Sequence, residues 1–557
     1  MSMPLRHRSA RGSGLWLSPR RGRGAAGLVL AIAALVALPL APGLLVTDRS
    51  SLGLTGLVGI PAESLLIVLL LLILPWRSVR RVLAGIFGVF VTAALALAAI
   101  DRGFRATVGT PFVLVDGPQL GSAYGVVVDA VGAFLAELLL VGLVCAMLAC
   151  ATLLAWAALR VADVVRRHAA GRVVTAGLAV VWLVAGVLAQ ASASVPLAAA
   201  ASVGAVGATV SRTERVLAEQ AAVASAIAVD PFAAVPPSRL LTGLRGKDVV
   251  FAFVESYGRV ALEGPGIADG VTDVLRAGDA SLTAEGYTAR SAWLTSPTFG
   301  GLSWLAHGTL QTGVWTPTQP AYDQLVASDR LSLTRAFGAA GWRTVSDVPS
   351  DTEAWAIGSS FYRYDSLVDA TGVGYRGPPF GYARIPDQFT LKHFADTELT
   401  GPHDPVMAEI DLVSSHTPWA PLPQLLPWER IGDGSAYDPQ PGQSATAGTV
   451  WQSPKTVQRF YGQSVQYSLG SLLSFLENVD DPNLVVVVLG DHQPAAIVSG
   501  ADASRDVPIS IIARDPAVFA AIGGWGWTRG LHPGENSPVW RMDAFRNRLL
   551  TAFSDRP

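Results

Sequence analysis

Hydrophobic positions along this chain follow two different rhythms. Before about residue 195 they come in long runs of leucine, valine and alanine, near 25–46, 56–75, 82–100, 127–158 and 173–194. Each run approaches or exceeds the roughly 20 residues that an α-helix needs to cross a bilayer. Five membrane spans are expected, the fourth long enough to tilt or to begin at the interface. Beyond residue 248 the rhythm shortens. The segments 248–254, 406–412, 484–489 and 508–513 are brief apolar runs, mostly rich in β-branched residues, as in strands covered on both faces. Helical stretches at 321–340 and 456–478 separate them. Strands alternating with helices imply an α/β domain with a mostly parallel sheet. The expected architecture is an N-terminal multi-pass α-helical membrane domain followed by an α/β domain.

Charges orient the spans. A tail of residues 1–24 carries Arg6, Arg8, Arg11, Arg20, Arg21 and Arg23. The loop after the second run has Arg77, Arg80 and Arg81, and the loop after the fourth has Arg160, Arg166, Arg167 and Arg172. The alternate loops are poor in basic residues, although Arg102 and Arg105 flank the end of the third run. This is a positive-inside pattern with a cytoplasmic N-terminus, so five spans from 25–194 place all that follows outside. Residues 195–247 read as a juxtamembrane helix, with good helix formers at 211–220, and a linker interrupted by Pro236-Pro237. The outer domain then occupies 248–557.

Composition adds limits. Only 15% of the 557 residues are charged, and the mean hydropathy is +0.39, too apolar for an ordinary soluble enzyme. A formal net charge of −2 gives no basic signature for nucleic acid. Both cysteines, Cys145 and Cys150, lie in the fourth apolar run. The outer domain therefore has neither an internal disulfide nor a cysteine-ligated zinc site.

Polar clusters interrupt the outer domain where strands end. Glu255-Ser-Tyr257-Gly-Arg259 follows the first strand. Thr295-Ser-Pro-Thr298-Phe-Gly-Gly301 suggests a tight turn into a helix starting near Gly301, whose free N–H groups favour an anion. Thr298 reads either as an N-cap or as a hydroxyl nucleophile, which needs a base or a metal to activate it. Asp411-Leu-Val-Ser-Ser-His416-Thr-Pro418 follows the second strand, and Gly490-Asp491-His492 the third. Parallel sheets gather such strand ends at one carboxyl edge. Glu255, Thr298, Asp491 and His492 would together offer three hard oxygens and one imidazole, a set suited to Mn²⁺ or Zn²⁺.

The strings FVESYG, SPTFGG, SSHTPW and LGDHQP, in this order after five apolar runs, resemble the lipoteichoic acid synthase branch of the alkaline phosphatase/sulfatase superfamily. The resemblance implies a sulfatase-like extracytoplasmic domain on a bacterial plasma membrane. It implies that Glu255, Thr298, Asp491 and His492 bind one Mn²⁺, with Zn²⁺ or Mg²⁺ less suited. Thr298 would be the nucleophile and His416 the residue facing the substrate phosphate. The implied reaction takes a phosphate-bearing, phosphoglycerol-like headgroup from an anionic phospholipid donor through a phosphothreonine intermediate. The acceptor would be a cell-envelope glycan or glycolipid. A headgroup hydrolase and a noncatalytic envelope scaffold are the alternatives. Tyr257, Trp304, Trp355 and Trp419 stand beside the motifs and read equally as headgroup-pocket or core aromatics. The branch's Asn-Arg-Asp run after a tryptophan is missing; Trp355 matches, but an arginine could come only from Arg363. No C/S-x-P-x-R arrangement is present, which argues against a sulfatase.

Overall fold

In a computed structural model of the chain, residues 19–46, 60–107, 111–191 and 198–555 are described. The tail arginines Arg6, Arg8 and Arg11 and the start of the second predicted run, 56–59, lie outside them. The chain divides into two compact units, residues 1–103 with 112–213, and residues 104–111 with 214–557.

The first unit is helical: α1 (Pro19–Val46), α2 (Ala62–Ile73), α3 (Arg77–Thr107), α4 (Ala133–Arg167), α5 (Ala169–Ala191) and the start of α6 (Ala201–Ala228). Three helices are long and apolar enough to cross a membrane, Ala25–Leu45 within α1, α3 and α4. Shorter apolar stretches at Ala62–Ile73 and Ala169–Val181 fall in the second and fifth expected runs. The chain is a multi-pass membrane protein. The fourth run differs from expectation at its start. Gly132, with φ +85°, ends a separate helix, Gln119–Val131, before α4 begins. Ala31, Leu35, Leu71, Val91 and Leu154 form the packed centre of this unit. At Gly88 of α3 a Cβ would stand 2.2 Å from the Ala151 carbonyl oxygen of α4. Only glycine permits that approach, as is common where membrane helices touch.

The second unit holds a nine-stranded sheet. Its strands are β1 (Val249–Val254), β2 (Thr288–Thr295), β3 (Arg343–Val348), β4 (Ser366–Asp369), β5 (Val406–Leu412), β6 (Val485–Gly490), β7 (Asp506–Ala513), β8 (Thr528–Arg529) and β9 (Val539–Arg541). The order is β8-β2-β7-β6-β1-β5-β3-β4, with β9 also on β2. The central run β6-β1-β5-β3-β4 is parallel, whereas β7 is antiparallel to both β6 and β2. The sheet is therefore mixed but largely parallel. Both faces are buried. Val250, Ala252, Val486 and Val488 pack on one side with α9 (Pro454–Asn478). Phe251, Phe253, Val487 and Leu489 pack on the other with α10 (Asp543–Phe553). That accounts for the unbroken apolar character of 484–489.

Register then brings the motifs together. Val254 pairs with Leu412 on one side and with Gly490 on the other. The residues that follow, Glu255, Val413 and Asp491, emerge level at one edge. Strand β2 runs in the same direction as β6, because two antiparallel steps separate them, so its following loop opens at that edge too.

Candidate active site

Three side chains converge just beyond β1 and β6. Glu255, Asp491 and His492 offer ligand atoms that all lie within 4.8 Å of one another, and all three are buried. His492 Nε2 stands 3.5 Å from Glu255 Oε1 and 3.3 Å from Asp491 Oδ2. The backbone fixes this geometry. Ser256, at φ +56°, donates its N–H to Asp491 Oδ1 at 2.7 Å, and the His492 N–H reaches the same oxygen at 2.7 Å. His492 Nδ1 donates to the Gln493 carbonyl oxygen at 2.9 Å, which aims Nε2 at the carboxylates.

Burial opposes ionisation of Glu255, yet the charges of His492 and His416 and the hydrogen bond from Ser256 Oγ outweigh it and hold its carboxyl at about 2. Burial and the neighbouring Glu255 charge push Asp491 up to about 6. Asp491 Oδ2 is buried with no hydrogen-bond partner. Two crowded carboxylates, an imidazole nitrogen aimed at them and an orphaned oxygen fit a divalent cation.

The structure brings a different hydroxyl to this centre from the one expected. Thr298 is buried, but its hydroxyl donates to the Gly301 carbonyl inside its own turn. Helix α7 (Ser303–Thr312) begins two residues later than anticipated. Gly300, Gly301 and Leu302 all have positive φ, +72°, +153° and +65°. This path, strained at the non-glycine Leu302, delivers Ser303 as the first helical residue. Ser303 Oγ lies 3.0 Å from Glu255 Oε2 and 3.2 Å from His492 Nε2. The loop is tied to the ligand loop, since the Gly300 N–H donates to the Gln493 carbonyl at 2.8 Å.

One turn along α7 a second polar group was not anticipated. His307 Nδ1 is 2.9 Å from Glu409 Oε1 and 3.7 Å from Asp411 Oδ1, and its ring stacks on Phe253 at 3.8 Å. Burial works against protonation of His307, but Asp411 and Glu409 outweigh it and lift it to about 9. Gln311 and Tyr364 complete the hydrogen bonding of Glu409. The signal available in the sequence was the i, i+4 spacing of Ser303 and His307, and the i, i+2 spacing of two acids inside an otherwise apolar strand.

A cavity of ≈ 460 Å³ opens from Glu255 and Ser303 across α7 toward β3 and β5. It is lined by His416, Trp304 and Trp355 among the expected residues. The ring of His416 stacks on Tyr382 at 3.8 Å. The other candidates lie elsewhere. Tyr257, 3% exposed, belongs to the core, where burial raises its phenol far above the ordinary value. Trp419 is buried against Trp451, its indole N–H held by the Ser415 carbonyl at 2.8 Å. Arg363 sits at φ +60° and lines a separate cavity with Arg335 and Asp365. Asp387, completely buried at the start of α8 (Asp387–Glu398), accepts from the Ser414 N–H at 2.9 Å and so fixes the loop that carries His416.

No protein-family model matches this sequence, and no curated protein does. Among solved structures the chain is similar to the integral membrane lipooligosaccharide phosphoethanolamine transferase A of Neisseria meningitidis, with 13% identity and a TM-score of 0.46 over 96% of this chain and 99% of that one. It is similar to the lipoteichoic acid synthase LtaP of Listeria monocytogenes, with 15% identity and a TM-score of 0.32 over 55% and 71% of the two chains. It is also similar to the phosphoglycerol transferase GacH of Streptococcus pyogenes, with 13% identity and a TM-score of 0.36 over 60% and 80%.

Proposed function

We propose that the chain is a metal-dependent membrane phosphotransferase that moves a phosphate-bearing lipid headgroup through a covalent intermediate on Ser303. The observation that carries this reading is the position of Ser303 Oγ, in contact with both Glu255 and His492 at the first turn of α7. A divalent cation held by Glu255, Asp491 and His492 would neutralise developing charge and favour the ionised hydroxyl. With three oxygens and one nitrogen once Ser303 is included, the donor set suits Mn²⁺.

Ser303 Oγ attacks the phosphorus of a lipid phosphodiester. The bond from phosphorus to the diacylglycerol oxygen breaks, and that oxygen takes up a proton. An acceptor hydroxyl then attacks the serine-bound phosphoryl group, gives up its proton, and Ser303 regains its own. The free N–H groups at the start of α7 stabilise the phosphoryl oxygens. His416 lines the same cavity, and in this reading it would meet the same phosphate. Thr298 serves the turn rather than the reaction.

The test is mass spectrometry of protein quenched during turnover with labelled phospholipid vesicles and Mn²⁺. A headgroup phosphate is expected on the peptide containing Ser303. Ser303→Ala should lose roughly 10³-fold or more in turnover, because covalent catalysis and its positioning are both removed. Thr298→Val should fall far less. An adduct on Thr298, or full activity in the Ser303→Ala protein, would overturn the assignment.

A further inference from the structure

The phosphoryl group that reaches Ser303 is an anion, and the cavity it must enter has few positive groups to receive it. Among the described residues lining that cavity none is lysine or arginine, and its bases are His307 and His416. Arg363 lines another cavity. His416 turns Nδ1 to the Thr417 carbonyl at 2.6 Å, and no carboxylate among the described residues is hydrogen-bonded to it. His307 is held differently. Its Nδ1 meets Glu409 Oε1 at 2.9 Å and Asp411 Oδ1 at 3.7 Å, and its ring is fixed by stacking on Phe253. Glu409 also accepts from the Gln311 amide and the Tyr364 hydroxyl. These contacts mark Glu409 as an ionised acceptor and His307 Nδ1 as its proton-bearing partner. Burial opposes protonation of the ring, but the charges of Asp411 and Glu409 prevail, so His307 stays cationic at neutral pH.

The other ring nitrogen, Nε2, makes no hydrogen bond among the described residues, and the ring lines the cavity together with Ser303. Ser303 and His307 stand four residues apart on one face of α7, about 6 Å along its axis. A helical Cα–Cβ bond tilts toward the N-terminus, so the His307 side chain sets off toward the turn that carries Ser303. We infer that His307 is a further catalytic residue, whose Nε2–H donates to a non-bridging oxygen of the phosphoryl group as that group passes to Ser303 and away again. His307 keeps its proton throughout, and bonds and protons otherwise move as described for the transfer. A cation fixed in place before substrate arrives stabilises developing charge without reorganising. The inference rests on the reading of Ser303 as nucleophile.

The experiment uses the full-length protein in detergent with Mn²⁺. It follows the Ser303 adduct formed from mixed vesicles of radiolabelled phosphatidylglycerol and phosphatidylethanolamine. His307→Ala should slow adduct formation about 10²-fold, the usual scale for losing one such donor. Added imidazole should speed that variant at least tenfold. Pyrazole has the same shape but stays neutral, and should speed it less than twofold. Any other pattern of rescue would overturn the inference; equal rescue by both azoles would mean that the ring acts by packing. His307→Gln covers the case of an alanine variant that fails to fold, because its amide can still donate to Glu409 but carries no charge. It should slow adduct formation at least tenfold, with Mn²⁺ affinity within twofold of the parent's. A smaller loss of rate would overturn the inference. So would a second Mn²⁺ per chain that His307→Gln removes, since the histidine would then be a metal ligand. The two readings fail separately. An adduct formed at the parental rate in His307→Gln defeats this inference and spares the transferase. Absence of an adduct from either lipid in the parent defeats the transferase, and calorimetry with inorganic phosphate on the Ser303→Ala protein then decides the contact. Phosphate binding at least tenfold weaker once His307→Gln is added supports it, and any smaller change overturns it.

Discussion

At the scale of single residues the site is a competition between burial and charge. Asp491 has one oxygen held by two backbone N–H groups and the other left without a partner. Removing its charge should therefore be felt by a bound cation far more than by the fold. Asp491→Asn is expected to weaken Mn²⁺ binding by at least tenfold in a calorimetric titration, with a circular dichroism spectrum like the parent's. Loss of folded signal with metal affinity intact would reverse that assignment of roles. Glu255, Asp491 and His492 were legible in the sequence because each directly follows an apolar strand, and register does the rest. Ser303 was not. Thr298 has Pro297 and two glycines around it, the better local signature for an exposed hydroxyl. What decides is backbone direction through Gly300, Gly301 and Leu302, a run of positive φ that spacing alone does not reveal. Arg363 misled in the reverse way, since a left-handed residue at the end of its helical turn aims it elsewhere.

At the scale of elements the strands were more legible than the helices. Runs buried on both faces, such as 484–489, announce themselves by composition. Strands β2 and β3, Thr288–Thr295 and Arg343–Val348, did not, because arginine, serine and aspartate break their apolar pattern. The stretch 321–340 divides into Gln319–Val326 and Leu333–Ala340, since the side chain of Ser332 accepts from the Arg335 N–H and starts a new helix. The end of α6 is tied down by charge. Arg330 donates to the carbonyls of Ala226 and Val229 at 3.2 and 2.7 Å, and Arg546 of α10 holds Asp230 through two contacts of 3.0 and 2.9 Å. Burial opposes ionisation of Asp230, but Arg546 and Arg330 prevail and set its carboxyl below the ordinary value. Asp230→Ala leaves two buried guanidinium groups unmatched and should cost about 3 kcal/mol at neutral pH, read by denaturant unfolding. A depressed carboxyl stabilises fully above its unfolded value and ceases to do so as pH falls through its folded one. The gap between parent and Asp230→Asn should accordingly close in strong acid. A gap independent of pH would mean that packing, not charge, holds this junction.

At the scale of the whole molecule, contacts inside the helical unit supply a topology argument that needs no count of spans. Arg80 at the start of α3 pairs with Asp163 near the end of α4 at 2.5 Å, and Arg166 donates to the Leu74 carbonyl at 3.4 Å. The two arginine clusters that bracket these helices therefore share one side. The opposite ends meet as well. Arg102 near the end of α3 donates to the Leu45 carbonyl at the end of α1 at 3.4 Å. On that side α6 begins. Its first N–H groups, those of Ser202 and Val203, donate to the buried Glu63 carboxylate at 3.0 and 3.1 Å, and the Ser202 hydroxyl reaches the Pro39 carbonyl at 3.1 Å. A carboxylate at a helix N-terminus is favoured by the macrodipole, so this junction is stable in an apolar setting. The chain thus enters α6 on the side away from the arginine clusters. Positive residues remain cytoplasmic. The sheet domain is then extracytoplasmic although the second expected run is only a 12-residue helix among the described residues. An alkaline phosphatase reporter fused after Pro557 should be active only when exported, and one inserted near residue 165 should be inactive. A fluorescent protein that matures only in the cytoplasm should give the reverse pattern at the same two positions. Cytoplasmic fluorescence from the Pro557 fusion would contradict both the arginine rule and the packing of α6 against Glu63, and would place the proposed lipid chemistry on the wrong face of the membrane.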